Sequence, residues 1–233
     1  MIHNFLDFCT ALLESGFSMG GSNAKGIYTI IPCQWQEQKD IDSPIKGHTG
    51  NPETDPWEWR MRVLEERDDI AYSKLFFRAS GYITKEWYPH FFAVRRKGET
   101  FDEAYESGTV SGMAKRIYNL ISGSEIALHE IKRLGGFHRE DNAKFERAIA
   151  ELQMRMFITQ CGRIRKTNKY GEHYGWNSTV FTTVENFWYM RGFSLPDLDP
   201  IESYDKIKAQ ILKLNPQAEQ KVIDKFVRGP AGR

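Results

Sequence analysis

Apolar residues recur at intervals of three and four between residues 109 and 156, and this spacing places each set on one side of an α-helix. The three sets are Val110, Met113, Ile117 and Leu120; Leu128, Ile131 and Leu134; and Phe145, Ile149, Leu152 and Met156. Ser124 is a helix-capping residue type ahead of the second set, and Gly135-Gly136 is a helix-ending pair. The pattern therefore predicts three consecutive amphipathic helices.

Two strand-like segments follow the third helix, at residues 156–162 and 174–183. The loop between them reads Arg163-Ile164-Arg165-Lys166-Thr167-Asn168-Lys169. A helix-turn-helix followed by a basic hairpin is a common way to dock on a nucleic-acid duplex. The pattern predicts a winged-helix domain over residues 109–190. Winged helices also serve as protein-contact modules, so a protein partner stays open as an alternative.

The pattern of the first 98 residues predicts a second winged-helix-like region. A helix is expected from Phe5 to Ser15, with Asn4 as its cap, and another begins at Asp55-Pro56. The remaining expectations are a buried strand at 27–31, a polar loop at 37–54, a strand at 71–84, a helix around 87–94 and an acidic linker at 99–108.

The end of the chain predicts two further helices, which form an extension over residues 197–228. Asp199-Pro200 and Asn215-Pro216 each combine a capping residue with a proline suited to the first helical position. The expected fold class is therefore α+β, with tandem winged helices (helix-turn-helix plus β-hairpin wing) and C-terminal helices.

The net charge of +1 hides an asymmetry between the two parts of the chain. Residues 1–110 contain 12 basic and 17 acidic residues, whereas residues 131–170 contain 10 basic and 4 acidic residues. The positive charge therefore concentrates on the predicted third helix and hairpin, where phosphate contacts would be needed. The candidate DNA-binding residues are Lys144, Arg147, Arg163, Arg165, Lys166 and Lys169. A hairpin that is charged only for solubility is the alternative.

Several other chemistries lack support in the sequence. The three cysteines are far apart, which indicates free thiols in a reducing cytoplasm, and the six histidines lack metal-site spacing. No apolar run has the length of a membrane helix, and no secretory signal is apparent. The expectation is a cytoplasmic protein with no metal, no cofactor and no membrane partner; its oligomeric state stays open.

One polar cluster, Gln34-Trp35-Gln36, directly follows the apolar run 27–32. In an extended segment the two glutamines point the same way, and Trp35 points the other way. Two carboxamides on one face can hold a water molecule by donating and accepting hydrogen bonds. Such a water, placed beside a sugar carbon, is what hydrolysis of a glycosidic bond requires. A polar strand end without chemistry is the alternative.

These motifs give the sequence a resemblance to the AlkZ/YcaQ group of DNA glycosylases, specifically the shorter bacterial AlkZ-related proteins. Gln34-Trp35-Gln36 resembles the group's Gln-x-Gln catalytic motif. The run 74–83, which leads into Trp87-Tyr88-Pro89, resembles its strand-to-helix segment, and residues 145–183 resemble its later winged helix.

The resemblance implies a protein that binds double-stranded, damaged DNA and hydrolyses the bond between sugar and alkylated base. Gln34 and Gln36 would then position the attacking water. Trp35, Trp57 and Trp59 are candidates for stacking on an extruded base, with core packing as their alternative role. The alternative function is a non-catalytic winged-helix DNA-binding regulator or a protein-interaction module.

Overall fold

The computed structural model describes residues 2–21, 27–31, 45–167 and 170–230. The chain divides into two compact units. The first unit comprises Met1–Gly98 with Pro196–Ala231, and the second comprises Glu99–Leu195. Each unit combines helices with one three-stranded antiparallel sheet, so the mixed α+β class expected from the sequence is confirmed.

The helices and strands of the described residues are as follows in chain order. The helices are α1 (Phe5–Ser15), α2 (Pro56–Glu66), α3 (Tyr88–Arg96), α4 (Phe101–Glu106), α5 (Gly112–Ile121), α6 (Leu128–Leu134), α7 (Asn142–Met154), α8 (Val184–Tyr189), α9 (Pro200–Leu214) and α10 (Gln220–Arg228). The strands are β1 (Phe17–Met19), β2 (Ile70–Phe76), β3 (Ala79–Thr84), β4 (Ile126–Ala127), β5 (Ile158–Thr167) and β6 (His173–Thr183).

Helix α1 begins and ends where the sequence predicts. The Asn4 side chain accepts a hydrogen bond from the backbone N–H of Asp7, which satisfies one of the donors left open at a helix start. Gly16 ends the helix at φ 87°, and a Cβ at this position would collide with the ring of Trp87. Both the backbone angle and the close ring therefore require glycine here.

The sheet of the first unit has the strand order β1-β3-β2, with Ile83 of β3 opposite Phe17 on one side and Ala71 on the other. Aromatic rings fill its core. Phe226 of α10 stacks on Phe76 of β2 with the ring centroids 3.9 Å apart. The two C-terminal helices thus complete the core of the first unit.

Arg95 of α3 joins these elements from within the core, where it is 9% exposed. Its guanidinium donates hydrogen bonds to the carbonyl oxygens of Leu75, Phe226 and Val227, at 2.9, 2.8 and 3.0 Å. Two of these carbonyls belong to the last turn of α10, where carbonyl groups lack partners within the helix. A buried arginine therefore bonds open carbonyl groups at the C-terminal end of α10, and burial lowers its pKa to about 10.

The second unit places the three predicted helices α5, α6 and α7 against a sheet of order β4-β6-β5. The apolar faces meet in one core that includes Ile117, Ile131, Phe145 and Phe181. The two-residue strand β4 precedes α6, so the second helix begins at Leu128 rather than directly after Ser124.

The second unit starts before residue 109, because the expected acidic linker contains the helix α4. Thr100 and Glu103 form a reciprocal capping box, in which each side chain bonds the other residue's backbone N–H. Phe101 and Ala104 are buried in the core of the second unit. The linker expectation for residues 99–108 was therefore wrong: these acids cap and flank a short helix.

Two strand expectations in the first unit also need correction. Residues 27–31 lie beside β1 without forming a strand. The backbone N–H of Met19 bonds the carbonyl of Tyr28 at 3.1 Å, but the backbone N–H of Ile30 bonds the Ser18 hydroxyl at 2.9 Å rather than a backbone carbonyl. The run 71–84 is two strands, since the chain turns at Phe77 and Arg78 with φ of 52° and 64°. Neither residue is one that usually marks a two-residue hairpin.

Helix prediction near the C-terminus was right at α9 and incomplete elsewhere. Asp199 caps α9 as expected, by accepting hydrogen bonds from the backbone N–H groups of Ile201 and Glu202. Helix α10 begins at Gln220 rather than at Pro216, because Asn215 sustains only a single turn that closes at Ala218. Helix α8, which follows β6 directly, was not expected.

Candidate nucleic-acid interface

Helix α7 presents two of the candidate cations, Lys144 and Arg147, and both are exposed. The opposite side of the helix buries Phe145 and Ile149 in the core of the second unit, so the helical period points the cations outward. The two cations line one surface depression, with Ser111, Met113, Ala148 and Glu151 as its other residues.

The surface around these cations carries charges of both signs. Lys132 of α6 lies 3.4 Å from the carboxylate of Glu146, which is on α7 between the two candidate cations. Glu151 lines the same depression as Lys144 and Arg147. Positive potential on α7 therefore depends on Lys144 and Arg147 rather than on a broad basic face.

The hairpin formed by β5 and β6 carries the other described cations. Only two residue pairs join β6 to β4, Ile126 with Phe181 and Ala127 with Val180, so the hairpin continues beyond the third strand as a two-stranded ribbon. Arg163, Arg165 and Lys166 lie on this ribbon, and Arg165 is exposed, whereas the other two are half-exposed. Lys169 lies outside the described residues.

The same ribbon exposes aromatic and apolar side chains that the sequence analysis did not select. The exposed fractions are 91% for Trp176, 75% for Tyr170, 54% for Tyr174 and 52% for Ile164. The signal available in the sequence was the cluster of aromatic residues among glycines at 170–176, beyond the part of β6 that β4 covers. The ribbon therefore combines cations with exposed rings, as single-strand-binding proteins do.

The glutamine motif falls in the first unit's sequence but outside the described residues, and this applies to Gln34, Trp35 and Gln36 alike. The described residues on either side, Ile31 and Ile45, are 6% and 7% exposed. Ile31 and Ile45 are thus both held in the interior of the first unit.

The two tryptophans of α2 have different surroundings. Trp59 is completely buried, its ring stacks on Phe8 at 5.0 Å, and its Nε1 donates to the carbonyl of Pro52 at 3.1 Å. The expectation that Trp59 stacks on a base is corrected: it is a core residue. Trp57 is 41% exposed, with the Arg60 guanidinium 3.4 Å from its ring centroid. Residues two apart on a helix point about 200° apart, so the two rings cannot share one exposed face.

Thiol, metal and membrane chemistry receive no support from the described residues. Burial raises the pKa of Cys9 to about 11 and that of Cys161 to about 12, so both are protonated free thiols at neutral pH. Cys33 lies outside the described residues. Among the residues that the structure describes, no three His, Cys, Asp or Glu side chains converge as a metal site. No described helix is long and apolar enough to cross a membrane.

Comparison with known proteins identifies the family. Among solved structures, the chain is similar to the DNA glycosylase AlkZ of Streptomyces sahachiroi, with a TM-score of 0.40 and 10% identity. The match covers 74% of this chain and 50% of that one, so the chain spans about half the length of AlkZ. A comparison with curated proteins found no match. The model of the family described as "AlkZ related" matches residues 2–228, and the chain therefore belongs to the AlkZ-related family.

Proposed function

We propose that this protein binds double-stranded DNA and hydrolyses the N-glycosidic bond of alkylated bases. The observation that carries the DNA-binding part is the ribbon of the second unit, which holds Arg163, Arg165 and Lys166 beyond the body of its sheet. Membership of the AlkZ-related family, shown over nearly the whole chain, supports a role in DNA repair. The catalytic part rests on that family and on the Gln34-Trp35-Gln36 motif.

We further propose that the second unit is a winged helix. Its elements follow the order α5, β4, α6, α7 and then the β5–β6 hairpin, which is a helix-turn-helix followed by a wing. The first unit contains a similar series, with α1, β1, α2 and the β2–β3 hairpin, and its strand order β1-β3-β2 matches β4-β6-β5. The expected domains at residues 1–98 and 109–190 are extended accordingly: residues 99–108 join the second domain, and the helices of 197–228 join the first domain instead of forming a separate extension.

DNA binding in this proposal depends on contacts with phosphates. Lys144 and Arg147 of α7 and the cations of the ribbon would neutralise phosphates on a duplex, and Lys169 joins them from the sequence. Each neutralised phosphate releases counterions, so the logarithm of the binding constant should fall with the logarithm of salt concentration by about 0.9 per contact. This dependence separates an electrostatic DNA interface from a charged hairpin without a nucleic-acid partner.

The proposed reaction is the hydrolysis of an N-glycosidic bond. Gln34 and Gln36 would hold a water molecule through their carboxamides, and the water oxygen would bond C1′ of the deoxyribose as the C1′–N bond breaks. The electron pair of the broken bond leaves with the base, which neutralises an alkylated base that carries positive charge. The water loses one proton to solvent, and an abasic site remains. Trp35 and Trp57 would stack on the extruded base.

The test is to incubate the protein with an alkylated duplex and to measure abasic sites. The proposal predicts product with the native chain and its loss in Gln34→Ala and Gln36→Ala, whereas Gln217→Ala, at an exposed glutamine in the first unit, retains activity. Salt-sensitive duplex binding without product would contradict the catalytic part and leave a DNA-binding regulator. The absence of binding would leave a protein-interaction module.

A further inference from the structure

The outer part of the β5–β6 ribbon exposes rings that phosphate binding does not need. Trp176 is 91% exposed and Tyr174 is 54% exposed, and both belong to β6. Large aromatic side chains normally stabilise a fold by burial, so a tryptophan held almost entirely in water contributes little to the stability of the second unit. Exposed rings on an ordered strand indicate a surface that another molecule covers.

Two cations lie on the strand that pairs with these rings. Lys166 of β5 is the cross-strand partner of Tyr174, and the neighbouring Arg165 is exposed. Residues 158–183 contain four basic residues and a single acid, Glu172. A partner with negative charge and apolar faces complements this combination, and nucleic acid offers both through its phosphates and its bases.

An intact duplex would engage only half of this surface. Phosphates and sugars of paired DNA are accessible to Arg165 and Lys166, but the faces of paired bases are covered by their neighbours in the stack. A base that has lost its partner offers an open π-face, and base–aromatic stacking then adds to the phosphate contacts without regard to sequence. Aromatic wedges can also part a weakened base step, at a cost that is lowest where pairing is already lost.

We propose that Trp176, assisted by Tyr174, makes the ribbon selective for duplex DNA that contains unpaired bases. This inference rests on the proposed DNA binding and deepens it: Arg165 and Lys166 supply affinity for any duplex, and the rings supply preference for an interrupted one. Trp176 is thus a specificity residue that needs no contact with the base undergoing hydrolysis.

The experiment compares two fluorescein-labelled duplexes, one fully paired and one with a bulge of three unpaired nucleotides in the middle. Fluorescence anisotropy at constant salt gives the dissociation constants for the native chain, Trp176→Ala and Trp176→Phe. Tyr189→Ala is the matched control, since Tyr189 is 74% exposed in the same unit but lies on α8. Circular dichroism checks that each variant keeps the native melting profile.

The expected result is that the native chain binds the bulged duplex about tenfold more tightly than the paired one. Trp176→Ala should lose about tenfold affinity for the bulged duplex and change the paired affinity less than about twofold. Trp176→Phe should retain most of the preference because a ring remains, and Tyr189→Ala should behave as the native chain.

Three outcomes would overturn the inference. Equal affinity of the native chain for both duplexes, with salt-dependent binding intact, removes the preference but leaves the proposed function standing. If Trp176→Ala loses the same factor of affinity for both duplexes, Trp176 is a general DNA contact rather than a specificity residue. Binding to anionic phosphatidylserine vesicles that needs Trp176, with no binding to either duplex, assigns the surface to lipid and removes the proposed function as well.

Discussion

Asp55 organises a turn of the first unit, and its loss should destabilise that unit strongly. Its carboxylate is buried and accepts backbone N–H bonds from His48 at 3.1 Å, Thr49 at 2.7 Å and Gly50 at 2.9 Å. It also accepts the N–H of Trp57 at 2.8 Å, as the N-cap of α2. One side chain thus holds the chain before α2 onto the start of that helix.

The magnitude follows from these four bonds. Loss of an N-cap costs about 1 kcal/mol, and each further buried N–H left without a partner costs about 1–3 kcal/mol. Water can reach part of this turn, so the three extra donors fall at the low end, and Asp55→Ala should lower the free energy of unfolding by about 3–5 kcal/mol. Asp199→Ala is the matched control, because Asp199 caps α9 at an exposed position with two N–H bonds; it should cost about 1 kcal/mol.

Urea unfolding, followed by both circular dichroism and tryptophan fluorescence, measures the two variants. Hydrogen exchange of residues 45–66 then shows whether the loss is local to the turn and α2. Equal destabilisation by Asp55→Ala and Asp199→Ala, or unchanged exchange in residues 45–66, would refute the view that Asp55 holds this turn together.

Two further predictions concern the first unit. His90 Nδ1 lies 3.1 Å from the Ser203 hydroxyl and Nε2 lies 2.9 Å from Lys206 Nζ, and burial followed by the Lys206 charge lowers the pKa of His90. The folded state therefore resists a proton that the unfolded chain accepts, so the free energy of unfolding should fall as the pH drops below about 6.5. In urea titrations, His90→Gln should lose less of its free energy of unfolding between pH 7 and pH 5 than the native chain does. An equal loss in both would contradict this assignment. Arg78→Gly should raise the melting temperature, because a non-glycine residue at φ 64° costs about 1–2 kcal/mol. A lower melting temperature would show that the contacts of Arg78 outweigh this backbone strain.

Capping signals carried most of what the sequence predicted correctly about the fold. Asn4, Asp55-Pro56 and Asp199-Pro200 each mark a helix start in the structure, because their side chains bond the first backbone N–H groups whatever the tertiary context. The same signal is present at Thr100 and Glu103, whose capping box lies within an acidic segment. Local hydrogen-bond chemistry is readable from a sequence because its partners are only a few residues apart.

Tertiary surroundings account for the features that the sequence did not predict. Phe77 and Arg78 form a turn because the strands on either side pair, although neither residue favours that backbone conformation. The count of ten basic residues over 131–170 includes Arg155. This arginine is only 8% exposed, because it donates a hydrogen bond to the carbonyl of Thr109 inside the second unit. A basic segment therefore overstates the number of cations that can reach a partner.

The candidate site was predictable in its cations and not in its rings. The basic run at 163–169 indicated which cations to consider, and Arg165 is exposed as expected of a charged side chain, whereas Arg163 and Lys166 are only half-exposed. Exposure of Trp176 follows from the length of the β5–β6 ribbon relative to β4, which no periodicity of the sequence specifies. The burial of Trp59 beside an exposed Trp57 was accessible from the helical period, because two positions along α2 reverse the direction of the side chain.

The most direct test of DNA binding by the second unit is the salt dependence of its affinity for a paired duplex. Replacing both Arg165 and Lys166 by glutamine should lower the magnitude of the logarithmic salt slope by about 2. The charge-matched control, Lys221→Gln with Lys225→Gln on exposed positions of α10, should leave the slope unchanged. A slope that is the same in the native chain and the ribbon variant would contradict the account.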